Sequence, residues 1–210
     1  MVNSNTSGLN PGDYKGTYKL IGGSLCFDFA NTMSWRDSES PHEWLDGIDN
    51  LLEWCRLAEI VNDSEAQIIL TEFEKAKDSE ALLAELIDLR ELINKIFCAV
   101  IDHSVPKAND MVKLNQLASK TLSKLEVAYY EDKYQLRLQK CDSIIGKVFN
   151  EIVWSSIRVL TETDIKHIKK CKACHWLYID KSRNNSRTWC TMEDCGNRSK
   201  VNRFNRKNRV

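Results

Sequence analysis

The sequence predicts a mainly helical α+β protein, in which a helical N-terminal domain with one β-hairpin precedes a small cysteine-rich C-terminal module. Apolar residues recur at helical steps of three and four over most of residues 40–161. Residues 122–140 instead alternate between apolar and polar, as β-strands do. Four of the 8 cysteines cluster in residues 171–195, and a basic helical pattern follows them. At 210 residues, the chain has the length of one or two domains.

The first third of the chain predicts a short helix and then a longer one. Residues 1–13 are rich in Asn, Ser, Gly and Pro, which indicates a disordered leader. Two glycines precede residues 25–32, where we expect the short helix. Residues 40–43 (Ser-Pro-His-Glu) are typical of a helix start, because they offer an N-cap, a first-turn proline and a capping box. We expect the longer helix to run from there to about residue 61.

The middle of the chain predicts further helices and the hairpin. We expect helices over residues 63–77, 79–103, 108–118 and 142–161. In the longest of them, apolar residues step by three and four and predict one buried face: Leu82, Leu86, Leu89, Ile93, Ile96 and Val100. The two strands of the hairpin are expected to turn near Asp132. Thr163 and Asp164 then cap one more short turn before the first clustered cysteine.

The net charge of zero hides a strong asymmetry along the chain. Residues 166–210 hold 13 Lys+Arg and 3 acids, a net charge of +10, which leaves −10 for residues 1–165. A basic segment attached to an acidic body indicates a module that binds a polyanion. The alternative is that the two segments attract each other. We therefore predict a helical domain over residues 14–165 and a separate module over residues 166–210.

The start of the chain shows neither the basic region nor the apolar run of a signal peptide. The most apolar stretch, residues 92–101, is too short for a membrane span. We therefore expect a cytoplasmic protein with no membrane partner.

The clustered cysteines form two close pairs, Cys171 with Cys174 and Cys190 with Cys195. Such pairs joined by a short loop are typical of tetrahedral Zn²⁺, and four thiolates leave no position for water. The spacing predicts one structural zinc ion in a treble-clef-like or ribbon finger. The run from Cys171 to His175 also matches the CxxCH signature of haem attachment, but haem leaves Cys190 and Cys195 without a role. The other cysteines are expected to be small buried residues: Cys26, Cys55, Cys98 and Cys141.

A helix predicted over residues 193–209 carries much of the module's positive charge. On a helical wheel, Val201 and Phe204 share one side, which we expect to face the core, and cations spread over the opposite side. Such a face suits phosphate contacts, while Arg and Asn side chains read base edges in the major groove. The candidate DNA-binding residues are Arg183, Arg187, Arg198, Lys200, Asn202, Arg203, Arg206 and Lys207. Nearby aromatic residues leave single-stranded DNA or RNA as an alternative.

Four polar residues in the N-terminal domain form a second candidate site: Asp28, Asn31, Thr32 and Arg36. If residues 25–32 are helical, Asp28, Asn31 and Thr32 share one face, which makes a pocket for a small-molecule effector a hypothesis. The alternative is that these groups serve helix capping and core hydrogen bonds.

Two stretches of the sequence resemble known families. The run Cys195-Gly196-Asn197-Arg198 is the signature of the CGNR zinc fingers, and the CxxC pair and the Trp-Cys-Thr-Met run before it fit the same pattern. Residues 25–32 (Leu-Cys-Phe-Asp-Phe-Ala-Asn-Thr) resemble the opening of the ABATE-type domain, which precedes this finger in bacteria. The resemblance implies a bacterial stress-induced transcription regulator, with zinc on the four clustered cysteines and DNA on the basic residues of the finger.

Taken together, the sequence predicts a DNA-binding transcription regulator with a structural zinc ion and a sensor domain. Its expected partners are double-stranded DNA, a small-molecule effector and a second copy of the chain as a homodimer. A protein-interaction adaptor, whose finger docks an acidic partner, is the alternative. We expect no enzyme activity, because the sequence holds no Gly-rich phosphate loop, no GxSxG and no HExxH motif.

Overall fold

The computed structural model describes residues 19–75, 79–139, 141 and 143–207, and within these ranges it confirms a mainly helical fold with short hairpins. The helices are α1 (Leu25–Ala30), α2 (Ile48–Leu57), α3 (Asp63–Lys75), α4 (Ser79–Ile101), α5 (Ala108–Leu122), α6 (Ile144–Glu162) and α7 (Asn197–Lys207). The strands are β1 (Met33–Ser34), β2 (His42–Glu43), β3 (Leu125–Tyr130), β4 (Lys133–Leu138), β5 (Ile168–Lys170) and β6 (Leu177–Ile179). The predicted leader, residues 1–13, lies outside the described residues. No helix in the described ranges is long and apolar enough to cross a membrane.

The predicted helix start at residue 40 is wrong. Strand β2 pairs antiparallel with β1 at this point, and α2 begins at Ile48. The Glu43 carboxylate closes no capping box; it accepts hydrogen bonds from Arg90 at 2.5 and 2.6 Å and from the backbone N–H of Leu45 at 2.8 Å. Arg90 is 1% exposed, and a buried guanidinium needs a charged partner of this kind. A tertiary ion pair therefore overrides the local helix signal.

The helices predicted for the middle of the chain are confirmed, with ends that shift by a few residues. Helix α3 begins with reciprocal hydrogen bonds between Asn62 and Glu65, which is the arrangement of a capping box. Helix α6 begins where the Ser143 hydroxyl accepts a hydrogen bond from the backbone N–H of Gly146. The predicted face of α4 is buried at Leu86, Leu89, Ile93 and Ile96. Side chains from α1, α2, α3, α4 and α6 meet in one hydrophobic core.

The hairpin is formed as predicted. Strands β3 and β4 pair antiparallel from Leu125↔Leu138 to Tyr130↔Lys133. The two turn residues between them, Glu131 and Asp132, have φ angles of 48° and 60°. Positive φ at both central residues is the geometry of a type I′ turn, whose twist matches that of the flanking strands.

The C-terminal module contains the β5–β6 hairpin, a π-helical turn (Met192–Gly196) and α7. The expectation that Val201 and Phe204 face the core is wrong, because they are 56% and 65% exposed. The apolar centre of the module is covered instead by Trp35 from the N-terminal domain, so it does not need the side chains of α7. The division between domains at residue 165 stays a prediction, since Leu177 of the module also belongs to the main core.

Candidate metal centre and basic helix

The first cysteine pair lies on the tight turn between β5 and β6. The backbone N–H of Cys171 donates to the carbonyl of Trp176 at 2.8 Å, and the N–H of His175 donates to the carbonyl of Cys171 at 3.0 Å. His175 closes this turn in the left-handed region, with a φ of 62°. The turn brings Cys171 and Cys174 side by side, and both are buried.

The second pair brackets the start of the π-helical turn. The Thr191 hydroxyl caps that turn by accepting a hydrogen bond from the backbone N–H of Asp194 at 3.2 Å. The Arg187 guanidinium donates to the carbonyls of Trp189 and Cys190, which fixes the chain on its way into the site. Cys190 and Cys195 thereby reach the first pair from the opposite side, and both are buried.

The four sulfur atoms fit one zinc ion. All of them lie within 4.8 Å of one another, and the Sγ–Sγ distances from Cys190 to Cys174 and to Cys195 are 3.5 Å. A tetrahedron with Zn–S bonds of about 2.3 Å requires sulfur separations near 3.8 Å. All four cysteines are free thiols, and no histidine or acid joins their cluster among the described residues. The set therefore holds a single structural zinc ion with no open coordination position.

Hydrogen bonds from the other three thiols hold the pKa of Cys171 well below its usual range, whereas hydrogen bonds to Cys171 raise the pKa values of Cys174 and Cys190. His175 lies outside the cluster, with its Nδ1 atom 2.7 Å from a carboxylate oxygen of Asp37. The CxxCH run therefore supplies two zinc ligands, followed by a histidine that lies outside the cluster. Zinc binding explains the two cysteines of this run without haem.

The N-terminal domain holds the zinc module through a series of backbone-directed hydrogen bonds. The Asn31 side chain pairs with Leu177, donating to its carbonyl at 2.9 Å and accepting from its N–H at 2.8 Å. The Trp35 N–H donates to the carbonyl of Cys174 at 3.2 Å, and the Ile179 N–H donates to the carbonyl of Gly22 at 2.8 Å. These contacts fasten β6 and the first cysteine turn to residues 22–35.

The four residues predicted to line an effector pocket have partners within the chain. Asp28 accepts a hydrogen bond from the Gly22 N–H at 2.7 Å, and burial raises its pKa to about 6. Thr32 donates to the carbonyl of Phe29 at 2.7 Å, and Arg36 pairs with Glu91 and with the carbonyl of Ala30. The Asn31 side chain forms its hydrogen bonds with the backbone of Leu177 in the zinc module. None of the four lines either of the two cavities described next, and their role in ligand binding stays a prediction.

Two cavities lie elsewhere. One of about 650 Å³ opens between α4, α5 and α6. Its wall includes the apolar residues Leu89, Leu92, Leu117, Ile145 and Phe149 and the lysines Lys95, Lys113, Lys120 and Lys124. The other, of about 360 Å³, lies where Ser24 and Ile179 approach Trp154 and Arg158 of α6.

The structure places the four candidate DNA-binding residues whose side chains it describes in three different environments. Arg183 and Lys200 are exposed, so their charges face solvent. Arg187 is engaged inside the finger, where it also stacks over the Tyr178 ring at 4.4 Å. Arg198, the last residue of the CGNR run, lies 5.1 Å from the centre of the Trp35 ring. Four more have side chains outside the described part of the structure, although their backbone lies in α7: Asn202, Arg203, Arg206 and Lys207.

Sequence reasoning missed the residues that join the module to the N-terminal domain. Lys19 forms an ion pair of 2.7 Å with Asp194 beside the zinc site. Trp35 packs against the cysteines, and Trp44 donates its indole N–H to Ser34. A signal was present for Trp35, which falls between the helices predicted over residues 25–32 and 40–61, whereas Trp44 lies inside the second of them.

The comparisons with known proteins agree with this architecture. The profile of the CGNR zinc finger family matches residues 167–208. The profile of the ABATE family, described as "Putative stress-induced transcription regulator", matches residues 23–132, which is more than half of the chain. Among curated proteins, none matches the chain. The chain therefore belongs to the ABATE family, and it carries a CGNR zinc finger at residues 167–208.

Proposed function

We propose that this protein is a transcription regulator that binds double-stranded DNA through the basic surface of its zinc finger. The observation that carries the proposal is the charge of the finger: residues 166–210 have a net charge of +10. A segment of this size with such a charge matches the phosphate backbone of a duplex.

Two of the three acids of the finger do little to neutralise that surface, and the third, Glu193, is exposed. Asp180 is 1% exposed, and its carboxylate accepts hydrogen bonds from the backbone N–H groups of Ser182 and Arg187 at 2.9 Å. Asp194 is paired with Lys19 and Thr191. Both charges therefore serve the internal structure of the module, while several cations stay exposed: Lys172, Lys181, Arg183 and Lys200.

The position of α7 suits entry into a groove of DNA. The helix starts directly after the ligand Cys195, so the zinc ion fixes its first turn. Its 11 residues are about 16 Å long, a length that the major groove accommodates. The exposed side chains of Val201 and Phe204 fit this role, because apolar groups contact the methyl group of thymine.

The N-terminal domain is the regulatory part of the proposal. Its contacts with the finger, from Asn31 to Leu177 and from Trp35 to Arg198, connect the two regions directly. The cavity between α4, α5 and α6 has the volume of a small-molecule site, and both apolar and charged side chains line it. It is the candidate effector site of the protein, and the proposal assigns no catalysis to the chain.

Duplex binding by the full-length, zinc-loaded protein tests the proposal. We expect fluorescence anisotropy to show binding at about 50 mM salt, with a log–log salt slope near −5 if about six cations meet phosphates. Replacing Lys181, Arg183 and Lys200 with Ala should reduce the magnitude of that slope by about 2 to 3. The matched control removes one exposed arginine and two exposed lysines from the N-terminal domain, Arg56, Lys75 and Lys107, and should leave the slope unchanged.

Two results would contradict the proposal. One is no duplex affinity at low salt for a protein that retains its zinc. The other is an equal change of slope in both triple variants, because charge removal would then act without regard to the finger. Stronger binding to single-stranded DNA or RNA than to a duplex would replace the proposed nucleic acid.

A further inference from the structure

The hairpin β3–β4 carries an exposed apolar face. Side chains alternate along a strand, so the register places the pairs Leu125–Leu138, Val127–Leu136 and Tyr129–Tyr134 on one side. We call these six residues the hairpin apolar face. Its outer four side chains are strongly exposed: Val127 71%, Tyr129 63%, Tyr134 76% and Leu136 50%.

The opposite side of the same hairpin is polar, yet its central side chains are less exposed to solvent than those of the hairpin apolar face. Glu126 and Arg137 form a cross-strand ion pair of 2.9 Å, and Ala128 faces Gln135. Ala128 and Gln135 are half-buried, whereas Val127 and Leu136 are exposed. A hairpin normally turns its apolar side towards a core. Here that side faces away from the chain, which indicates an interface.

The size of the face is sufficient for association. Taking about 200 Å² for a whole tyrosine and somewhat more than half of that for an aliphatic side chain, the four exposed residues present roughly 400 Å². A patch of this size on a single chain is commonly functional. Two such faces packed together bury about 800 Å², and the residues around them bring the total to the ~1,000 Å² at which specific interfaces begin.

We propose that the occupant is a second copy of this chain, packed hairpin against hairpin about a two-fold axis. The partner must offer an uncharged sheet face, since the six residues carry no charge to attract a nucleic acid or an acidic peptide. Elsewhere in the described chain, the sheets β1–β2 and β5–β6 are two and three residues long per strand, too short to cover it. The same face on another copy has the required size and chemistry, as a two-fold interface demands.

Charges at the two ends of the hairpin favour the same arrangement. The exposed turn carries Glu131 and Asp132 next to a single cation, Lys133, whereas Lys120 and Lys124 lie where the hairpin joins α5. An antiparallel two-fold packing brings the acidic turn of each copy towards the basic base of the other. The charges therefore set the orientation of the pair, while the apolar face supplies the contact area.

Analytical ultracentrifugation of the full-length, zinc-loaded protein tests the proposal. Over about 1 to 100 µM, the range of a modest interface, the mass should rise reversibly from 24.2 kDa towards twice that value. Tyr129→Asp, on the apolar face, should keep the protein monomeric. Tyr130→Asp is the matched control, because it makes the same change at the next residue, which is 55% exposed on the opposite face. This control should dimerise like the wild type.

A charge-reversal pair keeps the test independent of folding effects. The variant with Glu131→Lys and Asp132→Lys should dimerise weakly with itself, as should the variant with Lys120→Glu and Lys124→Glu. Mixing the two should restore a dimer. A wild type that stays monomeric at the highest concentration overturns the proposal, including the case in which another segment of the same chain covers Tyr129. Equal dimerisation of Tyr129→Asp and Tyr130→Asp overturns it as well.

Dimerisation would also shape DNA recognition, and this consequence rests on the proposed function. Two fingers related by a two-fold axis read two half-sites of a palindrome. If the protein dimerises but binds no duplex, the proposed function fails and the interface stands. If it binds a duplex but stays monomeric up to the highest concentration, the interface fails and the proposed function stands.

Discussion

Asn31 is the most informative single position for the link between the two regions. Its side chain lies at the end of α1, is 4% exposed, and forms two hydrogen bonds with the backbone of Leu177. This pairing imitates one rung of a β-ladder between the N-terminal domain and β6. Replacing Asn31 with Ala removes both bonds and leaves the zinc ligands untouched.

The expected effect follows from the burial of the partner. Leu177 is fully buried, so its N–H and its carbonyl would each lose a hydrogen bond away from solvent. A buried polar group without a partner costs about 1 to 3 kcal/mol. We therefore expect Asn31→Ala to lower the free energy of unfolding by about 2 to 6 kcal/mol, with local opening most frequent at the contact between β6 and α1.

Urea denaturation and hydrogen exchange measure the two parts of this prediction. The peptide that contains residues 177–179 should exchange faster in Asn31→Ala, while the cysteine turns keep their zinc. Asn184→Ala is the control, because Asn184 is exposed on the loop of the finger and should leave both measurements unchanged. A loss below about 0.5 kcal/mol with unchanged exchange at Leu177 would refute the role given to Asn31.

Two further predictions concern the same segment. Burial raises the pKa of Asp28 to about 6 against an ordinary value of 3.8, so the folded state binds the proton more tightly and stability falls as the pH rises through this range. Between about pH 5 and about pH 8 the wild type should lose about 1.4 kcal/mol relative to Asp28→Asn in denaturation curves, and parallel curves would contradict this. Gly22→Ala should destabilise the protein in thermal melts, because the new Cβ would approach the Cβ of Phe27 to 2.6 Å and the backbone N of Asp28 to 2.9 Å. Gly196→Ala is the comparison and should cost less, since its close contact is the mobile end of Met192, and equal losses would count against the steric argument.

Features that depend on neighbours in sequence were predictable. The four zinc ligands follow from two short spacings, and the hairpin turn follows from a break in an alternating pattern. Helices α3 to α6 follow from apolar periodicity over many residues. In each case, local geometry alone brings the relevant groups together.

Features that depend on distant partners were not predictable from one sequence. Residues 40–43 carry a local helix signal, but no helix starts there because Glu43 forms an ion pair with Arg90. Arg90 lies 47 residues beyond Glu43 in the sequence. Asn31 and Leu177 are 146 residues apart, so neither residue indicates the other. The wheel of α7 grouped Val201 with Phe204 correctly, but periodicity shows which residues share a face and not whether a core exists beneath them.

The exposed pair on α7 and the buried Trp35 have a common explanation. A finger of about forty residues has too little apolar surface to form a core of its own, and zinc supplies part of what is missing. In this chain Trp35 supplies another part by packing against the cysteines, while Arg198 lies over its ring. Side chains of α7 are thereby released from the core and become free for a partner. The contact between Trp35 and Arg198 also joins the N-terminal domain to the first turn of α7. A change that moves Trp35 should therefore shift the start of that helix.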